Sequence, residues 1–379
     1  MSAIWYIISK QIWYIIFVRY RPIISSPITT MSVLRILFSP SSPWRHRLMA
    51  AGNVIASSYF FLMVFCNSYL SLYLILPQVY SNNPGTILFH RRIIYFFAVN
   101  VVGNYFLGYR TDSSIKMLKV PYSQRSAKNG FSWTCKKCEV KVPNRCHHCP
   151  LCSTCILKRD HHCFFMCTCI GYYNQKYFIM YCFYQFISGL YAAVLILIYM
   201  KFLYNVQFTG MTSFITLLPM TFYDWWFEQT VESFHMVLMA IFYGSLVAGF
   251  AAGGFFYWQI ALIIFGQTTH ESKHGIEDYS TSVWEHFKDV FGRWWFVSLF
   301  LPLPLPPSGN GVYVKQKKGK LRWLFKSICL DLFALLLRYF VTLSKTNIYG
   351  ILTKFKLEEY QTSANMFTKD ITFFWIKYV

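Results

Sequence analysis

The chain of 379 residues is 55% hydrophobic and 20% aromatic, whereas only 13% of its residues are charged. Soluble globular domains carry charge on about a quarter of their residues, so this composition excludes an ordinary soluble protein. A formal net charge of +21 fits a membrane protein, because lysine and arginine gather on the cytosolic side and attract anionic lipid; no nucleic-acid partner is expected.

Four apolar runs are long enough to be membrane spans, since a helix crosses a bilayer with about 20 mostly apolar residues. They occupy residues 54–76, 87–108, 177–200 and 236–264. The sequence therefore predicts an all-α integral membrane protein with four transmembrane helices and the lipid bilayer as its first partner. Spans one and two make up the predicted region 54–108, and spans three and four make up the region 177–265.

The segments outside the predicted spans differ in character. Residues 1–53 are expected to lie in the cytosol or along the membrane interface. Residues 266–313 form a predicted cytosolic segment after span four. The tail, residues 314–379, combines a lysine cluster with a broken apolar stretch, and it is not predicted to be a fifth span.

The loop between spans two and three, residues 109–176, is basic and rich in cysteine. It carries twelve lysines and arginines against three acids, whereas residues 201–235 carry a single lysine. Positive charge next to the spans marks the cytosolic side, so this loop and both termini are predicted to be cytosolic. Nine of the chain's twelve cysteines fall between Cys135 and Cys169, and in the reducing cytosol they favour metal binding or catalysis over disulfides.

The metal-type residues of this loop repeat at an interval of fourteen residues. Each of two sets is a Cys-x2-Cys pair followed by one histidine and one cysteine, which is the composition of a closed tetrahedral zinc site. A chance run of cysteines would not match at all four positions, so we predict two structural zinc ions that staple the loop. The predicted ligands are Cys135, Cys138, His148 and Cys155 in site one, and Cys149, Cys152, His162 and Cys169 in site two.

A further step of fourteen leads from Cys149 to Cys163, where a third site would begin. Its second cysteine would be residue 166, which is Met166, so the Cys163 thiol has no chelate partner. His161 also lies outside both sets. In an extended segment His161 and Cys163 would lie on one side, where His161 could take the thiol's proton and Asp160 could orient the imidazole. From the residues alone, a buried structural thiol remains an equal alternative for Cys163.

These residues belong to a longer pattern that extends past span four. There, Thr268-Thr269-His270-Glu271 and Val290-Phe291-Gly292 follow the loop. Within the loop the pattern consists of both ligand sets together with Pro143, Arg145, Asp160-His161-His162-Cys163, Gly171, Asn174 and Phe178. The pattern, which covers roughly residues 54–311, resembles the DHHC family of protein S-acyltransferases, the integral-membrane palmitoyltransferases. The two later stretches are similar to the family's Thr-Thr-x-Glu motif and to part of its C-terminal aromatic segment.

The resemblance implies a membrane enzyme with a cytosolic catalytic loop, two structural zinc ions and a two-step reaction. Cys163 would attack the thioester of an acyl-coenzyme A, typically palmitoyl-coenzyme A, with His161 as base and Asp160 as its partner. The thioester intermediate would pass its palmitate to a membrane-proximal cysteine of a protein substrate, which becomes a lipoprotein. Thr268 and Thr269 would dock the chain after span four against this site. The family most often implies a Golgi or endoplasmic reticulum membrane.

Three short stretches depart from the family's usual pattern and indicate a divergent branch. Phe164-Phe165 replaces Pro-Trp after Cys163, Cys167-Thr168 replaces Asn-Asn, and residues 111–114 replace Asp-Pro-Gly. All eight predicted zinc ligands are nevertheless present. The Phe-Phe replacement motivates an alternative function, a catalytically weak or inactive membrane adaptor whose zinc-stapled loop binds partner proteins. The intact acid, imidazole and thiol favour the enzyme.

Overall fold

The computed structural model describes residues 43–121, 124–125, 130–204, 211–276, 279, 282–309 and 311–312. The whole predicted tail, residues 314–379, and most of the predicted N-terminal segment therefore lie outside the described residues. The chain divides into two compact units after Ile55. Of the first unit the structure describes only residues 43–55, which are helical, and the features below belong to the second unit.

Four long helices match the four predicted spans. Helix α1 (Pro43–Tyr69) continues through a π-helical segment, Leu70–Ile75, into the short helix α2 (Leu76–Val79). The others are α3 (Pro84–Arg110), α4 (Gln175–Tyr204) and α6 (Ser233–Phe265). These helices are long and apolar enough to cross a membrane over Arg47–Val79, Pro84–Arg110, Gln175–Tyr204 and Ser233–Phe265. The prediction of four spans is confirmed, and each helix is longer than its apolar run because polar residues continue the helical hydrogen bonding at the ends.

Helix α4 is central to the membrane bundle, since it packs against both α3 and α6. Its approach to α6 is close at Gly189, where an added Cβ would lie 2.9 Å from the carbonyl oxygen of Ser245. Small residues at such crossings let helix backbones come together in a bilayer. The side chains between the helices form two apolar clusters, one of which contains Cys163.

Short helices follow the spans. Helix α5 (Met211–Tyr223) precedes α6, and α7 (Thr269–Lys273), α8 (Val283–Phe291) and α9 (Trp295–Phe300) follow it. Helix α7 begins with a capping box: the Thr268 hydroxyl accepts from the Glu271 N–H, and the Glu271 carboxylate accepts from the Thr268 N–H. This reciprocal pair satisfies two backbone donors at the start of the helix.

The loop between spans two and three forms three antiparallel hairpins of two strands each. The first pairs β1 (Phe131–Cys135) with β2 (Val140–Pro143), the second β3 (His147–Cys149) with β4 (Thr154–Ile156), and the third β5 (His161–Cys163) with β6 (Thr168–Ile170). The protein is mostly helical, as predicted, and the hairpins are an addition to that prediction. Strands of three to five residues are too short to show a reliable alternation of apolar and polar residues.

Asn174 fixes the last hairpin to the membrane helices. Its side-chain amide donates to the carbonyl oxygens of Gly108, at 3.1 Å, and Cys169, at 2.9 Å. Its side-chain oxygen accepts from the Gly171 N–H, at 2.8 Å, and from the Ser113 hydroxyl, at 3.0 Å. The buried amide thereby uses both its donors and both its acceptor sites, and it holds the end of α3 and the start of α4 beside strand β6.

Candidate active site and metal centres

The structure brings each predicted ligand set together. In both sets the four ligand atoms lie within 4.8 Å of one another. Each site draws on two hairpins: the Cys-x2-Cys turn of one hairpin supplies two thiols, and the strands of the next supply a histidine and a cysteine. In those strands the two ligands face each other, as His148 opposite Cys155 and His162 opposite Cys169.

The distances between these atoms fit a zinc ion. Tetrahedral zinc with bonds of about 2.3 Å to sulfur and 2.0 Å to nitrogen places its ligand atoms about 3.5–3.8 Å apart. The Nδ1 atom of His162 lies 3.8, 3.4 and 3.7 Å from the Sγ atoms of Cys149, Cys152 and Cys169. In the other set the Sγ of Cys138 lies 3.2 Å from the Nδ1 of His148. Both sets could therefore hold zinc through three thiolates and one imidazole.

Strand β5 has the extended conformation on which the site prediction depends. Successive side chains of a strand point to opposite faces, so His162 joins the metal set while His161 and Cys163 share the other face. Cys163 is 6% exposed, and neither it nor His161 belongs to a ligand set. The Cys163 thiol hydrogen-bonds the His161 side chain. The structure thus leaves this thiol and this imidazole together and outside the metal centres.

Asp160 is buried and receives three hydrogen bonds on its carboxylate. His161 Nδ1 lies 2.8 Å from Oδ2, and the Gln259 side-chain amide donates to the same oxygen at 2.6 Å. The backbone N–H of Thr269 donates to Oδ1 at 2.5 Å. Hydrogen bonds of this kind stabilise the ionised form of a carboxylate. Because Nδ1 of His161 faces Asp160, the other ring nitrogen, Nε2, is the one available to the thiol.

The pKa values of His161 and Asp160 are shifted in opposite directions. Burial would lower the pKa of His161, but its hydrogen bonds to Asp160 and to the Cys163 thiol outweigh burial and raise that pKa to about 9. Burial would raise the pKa of Asp160, but the contacts with His161, Thr269 and Gln259 lower it. The site therefore favours an imidazolium beside a carboxylate.

Thr268 and Thr269 both lie at this site, and they act differently. Thr269 donates its backbone N–H to Asp160, while its hydroxyl accepts from the Trp258 indole at 3.1 Å. Thr268 caps helix α7 and so fixes Glu271. The Glu271 carboxylate binds the Arg145 guanidinium of the loop at 2.6 and 2.5 Å. The segment after span four is thus docked against the loop by a buried ion pair.

Two functional partners were missed by sequence reasoning. Gln259 contacts the carboxylate directly, and Arg145, which the pattern contains, received no predicted role although its side chain forms the buried ion pair. A polar side chain inside an otherwise apolar span is a functional-site signal, so Gln259 could have been singled out. Nothing in the local sequence indicates which partner it contacts.

Cys163 also lies at the edge of the membrane bundle. It belongs to an apolar cluster with residues of all four long helices, among them Phe60, Tyr105, Phe178 and Ile263. A small cavity of about 50 Å³ lies deeper between α1, α3 and α4, where Val101 of the same cluster and Gln185 line it. The thiol therefore contacts both the polar loop and the apolar interior of the bundle.

Comparison with known proteins matches this chain to palmitoyltransferases. A sequence model of the DHHC palmitoyltransferase family matches residues 128–275, which include all three hairpins and helix α7. Palmitoyltransferase ZDHHC22 of zebrafish is 32% identical over 267 residues, covering 66% of this chain and 91% of the relative. The human protein of the same name is 29% identical, covering 66% and 92%. Probable palmitoyltransferase ZDHHC24 of zebrafish is 29% identical, covering 58% and 73%.

Proposed function

We propose how this chain, which belongs to the DHHC palmitoyltransferase family and is a protein S-acyltransferase, carries out its reaction. A palmitoyl-type chain is moved from acyl-coenzyme A to cysteines of protein substrates through an acyl-enzyme on Cys163. One observation carries the assignment of the nucleophile: Cys163 lies outside both metal sets and contacts His161, which Asp160 holds at 2.8 Å.

In the first step the Cys163 sulfur attacks the thioester carbonyl of the acyl-coenzyme A. The thiol's proton is held by His161, whose charged form Asp160 stabilises. The carbon–sulfur bond to coenzyme A breaks, and the leaving thiolate takes the proton from the imidazolium. An acyl thioester on Cys163 and free coenzyme A remain.

In the second step a cysteine of a protein substrate attacks the acyl-enzyme. His161, now neutral, accepts the proton of the incoming thiol, and the Cys163 sulfur leaves as a thiolate beside the imidazolium. The acyl chain is then attached to the substrate and the starting pair is restored. Because Cys163 lies at the edge of the bundle, the substrate cysteine must be close to the membrane.

The position of Cys163 suits a donor with an apolar tail and a polyanionic head. Each buried methylene group contributes on the order of 0.8 kcal/mol, so the tail is expected to bind among the apolar side chains around Cys163. The cavity of about 50 Å³ between α1, α3 and α4 lies in the same apolar region of the bundle.

The metal centres have a structural role in this proposal. Zinc ions held by the two sets would supply fixed geometry for the hairpins, as closed four-ligand sites do. The excess of lysine and arginine in residues 109–176 supports a cytosolic position for the loop and hence access to acyl-coenzyme A. A Golgi or endoplasmic reticulum membrane is the proposed location.

The experiment is acyl loading of purified, zinc-loaded protein with radiolabelled palmitoyl-coenzyme A. The wild type is expected to take up hydroxylamine-labile label, and Cys163→Ser is expected to take up none while keeping its zinc. Cys66→Ser, which removes a thiol from helix α1, is the matched control and should load normally. Absence of label in zinc-loaded wild type would contradict the proposal and favour an adaptor; label retained by Cys163→Ser would assign the nucleophile elsewhere.

A further inference from the structure

We propose that Gln259 is a positioning residue for the acyl transfer, acting through Asp160 on the imidazole of His161. The inference rests on the proposed roles of Cys163, His161 and Asp160. Gln259 lies in helix α6, the fourth span, and it is 1% exposed. It is thus a buried amide of the membrane domain that reaches the polar centre of the loop.

The orientation of the Gln259 amide is fixed at both ends. Its oxygen accepts a hydrogen bond from the Gln175 side chain at 3.0 Å, and its nitrogen donates to Oδ2 of Asp160 at 2.6 Å. The reverse orientation would place the amide oxygen against a carboxylate oxygen, which repels it. The Asp160 carboxylate, which can only accept, therefore selects the orientation in which Gln259 acts as a donor, and the Gln175 amide satisfies the remaining oxygen of Gln259.

Gln259 and His161 share one oxygen of the carboxylate. Both side chains donate to Oδ2 of Asp160, while Thr269 donates to Oδ1. Three donors from three different segments determine the plane of the carboxylate and hence the direction of the bond to Nδ1. Without Gln259 the carboxylate would lose one of two donors on Oδ2, and the imidazole would no longer be aimed at Cys163 by a fixed acceptor.

The position of these glutamines argues against a purely structural role. A hydrogen bond between Gln175 and Gln259 would join helices α4 and α6 by itself, yet the second half of the Gln259 amide reaches out of the helix pair to the loop. Polar side chains in spans are costly when unpaired. Gln175, Gln259 and Asp160 are all buried and are linked in that order by hydrogen bonds. This series therefore couples the packing of two spans to the site.

The first test compares acyl loading of Gln259→Leu and Gln259→Glu with that of the wild type. Leu removes the donor at similar volume, and Glu keeps the shape but places a second acid beside Asp160. We expect the rate of loading at saturating palmitoyl-coenzyme A to fall about 10- to 100-fold, the range for a lost hydrogen bond to a charged group, with an unchanged KM. The matched control is Ser245→Ala, because Ser245 is equally buried on the same helix and bonds Asn67 of another span.

The second test does not depend on acyl-coenzyme A. Cysteines of the folded protein are alkylated with iodoacetamide at neutral pH, and labelling of each is followed by peptide mass spectrometry. If Gln259 positions the pair, Gln259→Leu slows alkylation of Cys163 several-fold while the buried Cys182 stays protected. If Gln259 only stabilises the bundle, labelling of Cys182 and Cys163 becomes faster, and the inference is wrong.

The two tests separate this inference from the proposed function. Wild-type protein that takes up no acyl chain would overturn the proposed function, and the alkylation rates would still decide whether Gln259 positions the thiol–imidazole pair. Normal loading and normal Cys163 alkylation in both Gln259 variants would overturn the inference and leave the proposed function standing. A raised KM with an unchanged rate at saturation would also contradict it, because positioning acts on the chemical step.

Discussion

The second and third hairpins of the loop have the same backbone and opposite chemistry. Cys149 lies opposite Thr154 in one, and Cys163 lies opposite Thr168 in the other. The last turn residue has a positive φ in both, 50° at Ser153 and 52° at Cys167. Yet the first cysteine of the second hairpin belongs to a set that could hold a metal ion, whereas that of the third is the proposed nucleophile. The proposed reactivity of the Cys163 thiol depends on the absence of a second thiol from the turn that follows it.

Two absences separate the hairpins. The second thiol of the turn is replaced by Met166, which is fully buried and packs against helix α3, where a Cβ on Gly108 would lie 2.8 Å from its sulfur. In addition, no fourth hairpin follows to supply a histidine and a cysteine, since helix α4 begins at Gln175. Cys163 at the end of β5 thus keeps a free thiol because the third hairpin is the last of the series and is followed by a membrane helix.

The first histidines of the two hairpins also differ in charge. Burial, followed by the positive charges of His270 and Arg159, lowers the pKa of His147 to about 4, and its ring stacks on that of His270 with centroids 4.1 Å apart. The corresponding His161 has Asp160 as its partner, and its pKa rises to about 9. Equivalent positions of one scaffold therefore hold a neutral imidazole and a charged one.

The largest expected effect comes from replacing the equivalent thiols, Cys149 and Cys163, by alanine. Cys149→Ala should lose one of two bound zinc ions and much of the loop's stability, because a structural zinc contributes on the order of 10 kcal/mol. Cys163→Ala should keep both ions and lose acyl loading only. Metal content by mass spectrometry and thermal unfolding of the same samples distinguish the two. Loss of zinc from Cys163→Ala would place that thiol in a metal centre and contradict the comparison.

The next effect concerns the residues that precede the histidines, Asp160 and its counterpart Cys146. Asp160→Asn keeps the shape of the side chain but removes the charge that orients His161, so acyl loading should slow on the order of 10²–10⁴-fold. Cys146 lies in the apolar cluster of the loop, so Cys146→Ser should lower the free energy of unfolding by about 1–2 kcal/mol. Its loading rate per folded molecule should stay near normal. Equal loading rates for the two variants would show that the acid has no special role.

The smallest effect tests the shared backbone. Val disfavours a positive φ more strongly than an unbranched residue does, so Cys167→Val and Ser153→Val should each lower the free energy of unfolding by about 1 kcal/mol. Equal shifts in the denaturation midpoint of zinc-loaded protein would support equivalent turns. A clear difference between the two losses would mean that the hairpins share their sequence spacing without sharing a turn.

The sequence predicts the metal sets and the spare thiol well because their determinants are local. A chelating turn needs two thiols three residues apart, and a repeat of that turn leaves a fixed interval that can be read directly. The four spans are predicted for a similar reason, since each is a continuous apolar run. The extended geometry of His161 and Cys163 could be stated only as a condition, because three residues carry too little pattern.

The partners of Asp160 could not be predicted in the same way. Gln259 is 99 residues away in the chain, and the ion pair of Arg145 with Glu271 joins residues 126 apart. Such contacts depend on how spans three and four pack, and no interval in the sequence records that packing. The Thr-Thr-x-Glu motif indicated that residues after span four approach the site. It did not indicate that the backbone N–H of Thr269 donates the hydrogen bond to Asp160.

Two of the hydrogen-bond donors to Asp160, Gln259 and Thr269, are synthesised long after Asp160 itself. The ribosome completes the hairpins and the thiol of Cys163 long before it reaches Gln259 and Thr269, which lie within and after the fourth span. A nascent chain can therefore carry its folded metal hairpins while its acid still lacks two of three hydrogen bonds. On the proposed mechanism, Cys163 gains its full reactivity only after the last helix has been inserted, so an unfinished chain would accept an acyl chain slowly.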